Sequence, residues 1–114
     1  MSRISSFKYA FKGMYIFFST QPNGIIHLFA AISVIVAGFW FNISTTDWCF
    51  IAIAIGLVMM AEVFNTAIEF LVNLVSPEYN ELAGKVKDLA AAGVLIAAFA
   101  ALVIGLIVFL SIET

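Results

Sequence analysis

Five polar side chains share one face of an otherwise apolar segment: Glu62, Asn65, Thr66, Glu69 and Asn73. Glu62 and Glu69 are seven residues apart, which on a helix turning 100° per residue returns to within about 20° of the same direction. Asn65 and Thr66 fall between them at spacings of three and four, and Asn73 follows Glu69 by four. The other face, with Val63, Phe64, Ile68, Phe70 and Leu71, is apolar. If the segment crosses a bilayer, the stripe runs from mid-membrane toward one end. An ionised carboxylate at mid-bilayer costs on the order of 3 kcal/mol on insertion scales. Two on one face call for a partner, a cation or a proton. Three readings follow: polar glue between helices, a path for protons or cationic drugs, or a catalytic site that binds metal.

A second constellation follows the stripe. Residues 76–88 carry Glu78, Glu81, Lys85, Lys87 and Asp88 within thirteen positions. Ser76 before Pro77 reads as an N-cap with proline at the first helical position, which predicts a short helix at the membrane edge. Such charge density often marks nothing more than a solvated loop. Here Lys87 and Asp88 stand where the next apolar run begins, within reach of the end of the stripe. Acids that hold Mg²⁺ beside a lysine that meets phosphate oxygens are what phosphoryl transfer requires. No GxxxxGK[ST], GxGxxG or HExxH motif occurs. The single His27, in an apolar helix start, reads as an interfacial side chain rather than a ligand.

These residues need elements to hold them. The chain has 114 residues, of which 64% are hydrophobic and 11% charged. A soluble domain has roughly 25% charged residues, so a soluble enzyme and a disordered chain are both excluded. Seven Asp and Glu against five Lys and Arg give a net charge of −2 and no cationic field for nucleic acid. The lone Cys49 rules out an internal disulfide or a cysteine metal cluster. The composition is that of an integral membrane protein.

Apolar runs predict three spans, at about residues 25–41, 48–75 and 89–110. Fully helical, the second would reach roughly 40 Å, beyond a hydrocarbon core of about 30 Å, so one end should emerge. A cleaved signal peptide is not expected, because the first apolar run starts late and lacks a cleavage site. Before the first span, Phe7, Phe11, Met14 and Phe18 recur at spacings of three and four, with Lys8 and Lys12 alongside. This predicts an amphipathic helix at about residues 4–19, lying in the membrane surface. Gln21, Pro22, Asn23 and Gly24 should break it. Arg3, Lys8, Lys12, Lys85 and Lys87 all fall before the first span or between the second and third. The positive-inside rule therefore puts the N-terminus in the cytoplasm and the C-terminus outside. Ala90, Ala91, Ala92, Gly93, Ala97 and Ala98 offer the third span a small-residue face for close packing.

The run Ala61-Glu62-Val63-Phe64-Asn65-Thr66-Ala67-Ile68-Glu69, followed by Ser76-Pro77-Glu78-Tyr79-Asn80-Glu81-Leu82-Ala83-Gly84-Lys85-Val86-Lys87-Asp88, closely resembles the signature of prokaryotic diacylglycerol kinases and the related undecaprenol kinases. Phe7-Lys8-Tyr9-Ala10-Phe11-Lys12-Gly13 resembles their surface helix, and the likeness covers essentially the whole chain. It implies an all-α membrane protein of one domain, residues 1–114, with three transmembrane helices and a surface helix. It further implies a homotrimer in the bacterial inner membrane, with sites shared between subunits near the cytoplasmic face. The implied activity moves the γ-phosphate of Mg-ATP to the hydroxyl of a membrane lipid, diacylglycerol or undecaprenol. By position, Glu62 would be the general base with Asn65 beside it, and Glu69 a Mg²⁺ ligand. Tyr9, Glu78, Asn80, Lys87 and Asp88 would contact nucleotide.

Three departures stand out. Gln21 occupies the position of the family's second metal-binding glutamate. Asn23, Gly24, Ile25, Ile26 and His27 lack the arginine of the common Asn-Phe-Arg-Ile-His stretch. Asn73 and Asn80 stand where many members carry His or Asp. The competing function is a small proton-coupled transporter whose intramembrane glutamate trades protons against a cationic substrate. Such proteins typically have four spans and no charged loop abutting the acidic stripe.

Overall fold

The computed structural model describes residues 2–112. Four helices follow one another: α1 (Arg3–Thr20), α2 (Pro22–Phe41), α3 (Thr45–Val75) and α4 (Glu81–Leu110). The last three are long and apolar enough to cross a membrane, as the apolar runs predict. Residues 113 and 114, part of the tail assigned to the outer side, lie outside the described residues.

α1 starts at an N-cap, where Ser2 Oγ accepts the Ser5 amide at 3.2 Å. It ends at a single residue, narrower than the four-residue break that the sequence suggests. Gln21 is extended, at φ −117° and ψ 105°, and Pro22 already begins α2. Proline disfavours the helical region for the residue before it and is itself well suited to a first helical turn. The chain folds back at this joint because Phe17, only 2% exposed, seats its ring on Gly24. A Cβ on Gly24 would lie 2.8 Å from that ring. Phe7, Phe11 and Met14 remain exposed along the predicted stripe, as an interfacial helix requires.

The opposite end of α2 closes in a tight turn. Asn42 is left-handed (φ 54°), and the amides of Asn42 and Ile43 bond to Phe39 O at 3.3 Å and Gly38 O at 3.1 Å. These two bonds satisfy carbonyls that the helix end leaves without partners. Ser44 then caps α3 by accepting the Asp47 amide at 3.1 Å. The Trp48 ring lies against Gly38, where a Cβ would meet it at 2.6 Å. Ile43, Ile51 and Val108 form the buried cluster at this end, flanked by Val34, Trp48, Ile55, Ile104, Phe109 and Ile112.

α3 packs chiefly on α4, with Ala54, Val58 and Ala97 buried. The small-residue face of α4 is only partly used: Ala97 is buried, whereas Ala91, Ala92 and Gly93 remain exposed. α2 packs on α3 and reaches α4 through Phe41, whose ring lies edge-on to Phe109, while α1 packs against α2 and α3. The result is a flat molecule of 55 × 37 × 21 Å.

Lengths decide where the charged segment sits. α2 has 20 residues, α3 has 31 and α4 has 30. At 1.5 Å per residue these are about 30, 46 and 45 Å. All three converge at the turn around Asn42, so the surplus of α3 and α4 projects beyond the start of α2. The connection at residues 76–80 tops that projection.

The candidate phosphoryl-transfer site

The stripe is assembled at the level where α2 begins. His27 Nε2 lies 2.7 Å from Glu62 Oε1, with Glu62 7% exposed. His27 is the sixth residue of α2, so the pair sits about 8 Å from the start of that helix. Counting along α3 alone puts Glu62 near mid-membrane. The partner on α2 instead places it within two turns of the start of that helix. The expectation for His27 is thus corrected: its imidazole turns inward onto the carboxylate. An antiparallel hairpin could have revealed the pairing. His27 lies eleven residues before Gly38 and Glu62 fourteen after Trp48, and Gly38 and Trp48 are in contact. What the sequence lacks is the exact turn, and one residue of slip rotates each face by 100°.

Above Glu62 the stripe divides into structural and available groups. Thr66, 6% exposed, donates its hydroxyl to Glu62 O at 3.0 Å, a bond within its own helix. Asn65 Nδ2 lies 3.5 Å from Glu69 Oε1, at the limit of a hydrogen bond. Asn65 Oδ1 is buried without a partner. Such an atom costs about 1–3 kcal/mol, and a ligand or cation would remove that cost. One turn higher, Lys87 Nζ donates to Asn73 Oδ1 at 2.7 Å. This bond crosses from α4 to α3 and ties the lysine of the charged segment to the end of the stripe.

The connection at residues 76–80 differs from the expected helix. Asn80, not Ser76, is the N-cap: its Oδ1 accepts the Ala83 amide at 2.8 Å. Its Nδ2 donates to Ser76 Oγ at 2.6 Å, and Ser76 Oγ donates to Glu78 O at 2.9 Å. Ser76 is thereby engaged by the link itself, and α4 runs unbroken from Glu81 into the third span. Glu78, Asn80, Lys87 and Asp88 gather at this end of the α3–α4 hairpin. Tyr9 is 58% exposed on α1, which packs against α2 and α3. Gln21 stands at the α1–α2 joint, its Nε2 3.4 Å from Thr20 Oγ1 and not bonded to Glu69.

Beneath the His27–Glu62 pair, α2, α3 and α4 enclose an apolar crevice of about 320 Å³. His27 lies at its head, and Ala30, Ala31, Ala54, Ala98 and Gly105 are among the small residues that leave it open.

Three membrane-length apolar helices, with acids, amides and a lysine collected toward one end, define a multi-pass membrane protein. The chain belongs to the prokaryotic diacylglycerol kinase family, whose sequence profile matches residues 8–109. It is 42% identical over 101 residues to a diacylglycerol kinase of Synechocystis sp., covering 88% of this chain and 58% of that protein. Identity to an undecaprenol kinase of Bacillus subtilis is 36% over 105 residues, covering 92% and 85%. A diacylglycerol kinase of Escherichia coli is 34% identical over 74 residues, covering 65% of this chain and 61% of the relative. The chain therefore matches less than two thirds of the length of both diacylglycerol kinases.

Proposed function

We propose that this chain is an ATP-dependent lipid kinase, a single membrane domain over residues 1–114 that phosphorylates the hydroxyl of diacylglycerol or undecaprenol. The observation that carries the reading is the buried Glu62, paired with His27 near the start of α2 in a chain of this family. Glu62 takes the proton of the lipid hydroxyl as its oxygen bonds to the γ-phosphorus. The bond from that phosphorus to the bridging oxygen breaks, and ADP leaves with the electron pair. An alcohol is a weak nucleophile, so a base within hydrogen-bonding reach speeds the step. Asn65 orients the hydroxyl or a phosphate oxygen through its unpartnered Oδ1. Lys87, with Asp88, Glu78, Asn80 and Tyr9, binds nucleotide.

Mg²⁺ fits the donors at hand. The ion prefers oxygen ligands and is commonly held by one or two carboxylates together with substrate phosphates. Glu69 supplies a carboxylate beside the Asn65 amide, and by the family resemblance Gln21 would offer a neutral oxygen in place of a second acid. When bound, the cation would neutralise charge on the triphosphate. Among the described residues no three His, Cys, Asp or Glu side chains group as metal ligands, which suits an ion completed by ATP.

The working unit is a homotrimer with composite sites, in the inner membrane with a cytoplasmic N-terminus. In this reading Tyr9 of one copy and Lys87 of another bind the same nucleotide, as the family resemblance implies. The number three rests on the family resemblance. The transporter alternative has no support among the relatives, which are named as kinases.

Radiolabelled ATP offered to the purified protein with diacylglycerol and undecaprenol, side by side, tests the activity. Label should enter one of the two lipids, and label in neither would overturn the reading. Glu62→Gln should lower kcat by about 10²–10⁴-fold. An unchanged rate would remove Glu62 from its role.

A further inference from the structure

We infer that His27 is a positioning residue for this reaction, holding the Glu62 carboxylate by Oε1 and leaving Oε2 for the lipid hydroxyl. The inference rests on the kinase reading of the site. A base must be ionised to accept a proton, and toward an ionised Glu62 the Nε2–H of His27 donates across the 2.7 Å contact. No other hydrogen bond reaches the Glu62 carboxylate from the described residues.

Two physical needs meet in this contact. A carboxylate only 7% exposed requires a donor, because burying an unpaired charge is prohibitive. A glutamate also has three side-chain torsions, and a base contributes only while its oxygen stays within hydrogen-bonding distance of the proton it takes. Thr66 cannot meet either need, since its hydroxyl is bonded to the Glu62 backbone oxygen rather than the carboxylate. Among the described residues His27 alone reaches the carboxylate, and it does so from a different helix. Its position at the head of the apolar crevice sets the carboxylate where a lipid chain lying in that crevice would present its hydroxyl.

A purely architectural bond between α2 and α3 would make other predictions, so the test separates the two. Wild-type protein is assayed first with both lipids; absence of label there overturns the kinase reading rather than the role of His27. With activity in hand, His27→Leu should lower kcat about 10²-fold, with KM for ATP and for lipid changed by less than about two-fold. His27→Gln, whose amide can donate to the same oxygen, should retain kcat to within about ten-fold of wild type. Unchanged kcat in His27→Leu overturns the inference, and so does an equal loss in both variants. The chain holds one histidine, so ¹⁵N-histidine labelling gives a single imidazole that reports the contact even if His27→Leu fails to fold. Its Nε2 resonance should move on Glu62→Gln; an unmoved resonance overturns the pairing.

Discussion

At the scale of single residues, the site mixes ordinary and unusual assignments. Lys87 is held by Asn73, so its ammonium is oriented rather than free to wander. Charge-assisted hydrogen bonds contribute about 1.5–3 kcal/mol, so Lys87→Ala should raise KM for ATP by roughly 10–100-fold. Initial-rate titration with ATP checks this, and an unchanged KM would place the nucleotide elsewhere. Gln21 is the departure with the clearest chemical consequence. A neutral amide gives Mg²⁺ an oxygen but no charge, so Gln21→Glu should lower the Mg²⁺ concentration for half-maximal rate. Superimposable activation curves for the two proteins would show that Gln21 takes no part in metal binding.

At the scale of helices, joints matter more than spans. Asn80 caps α4 and also braces Ser76, so one side chain fixes the path of residues 76–80. Asn80→Ala should cost about 1 kcal/mol and lower the melting temperature in detergent, with kcat falling as the link loosens. Asn80→Asp keeps the capping oxygen and should restore most of the stability. At the other end of the molecule, Gly38 is needed because the Trp48 ring occupies the space of its Cβ. Gly38→Ala should destabilise by about 1–3 kcal/mol through overpacking, as read by thermal unfolding. An unshifted melting temperature would mean that the Trp48 ring is not packed so closely.

At the scale of the whole molecule, the apolar faces of the helices look outward. Trp40, Phe39, Leu95, Ile96 and Leu110 are each more than 70% exposed, and such faces end against lipid or another copy. Complementation between variants gives the shared-site proposal a direct test. Tyr9→Ala and Lys87→Ala, each weakened alone, should regain activity when coexpressed, because some composite sites then receive both intact residues. Native mass spectrometry should give three chains per particle. A dimer, or coexpression without recovery, would sink the trimeric arrangement.

Much of this organisation is written in the order of residues. Composition demands a bilayer, apolar runs fix three spans, and the spacing of Glu62, Asn65, Glu69 and Asn73 puts them on one face. Those features are local: they depend on helical periodicity and on transfer from water, both readable along one segment. The proline after Gln21 likewise announces the α1–α2 joint. The sequence misassigned the cap of α4, since Ser76 and Asn80 are both competent and only their mutual hydrogen bond decides between them. It also left His27 as an isolated interfacial side chain. Which residue of α2 faces Glu62 depends on the turn at Asn42 and on the register of two helices, and neither is a property of either segment alone. The chain order thus determined that acids lie on a membrane helix, and tertiary packing decided the partner of Glu62. Helix periodicity sets a direction for each side chain, whereas a contact requires two backbones to be placed.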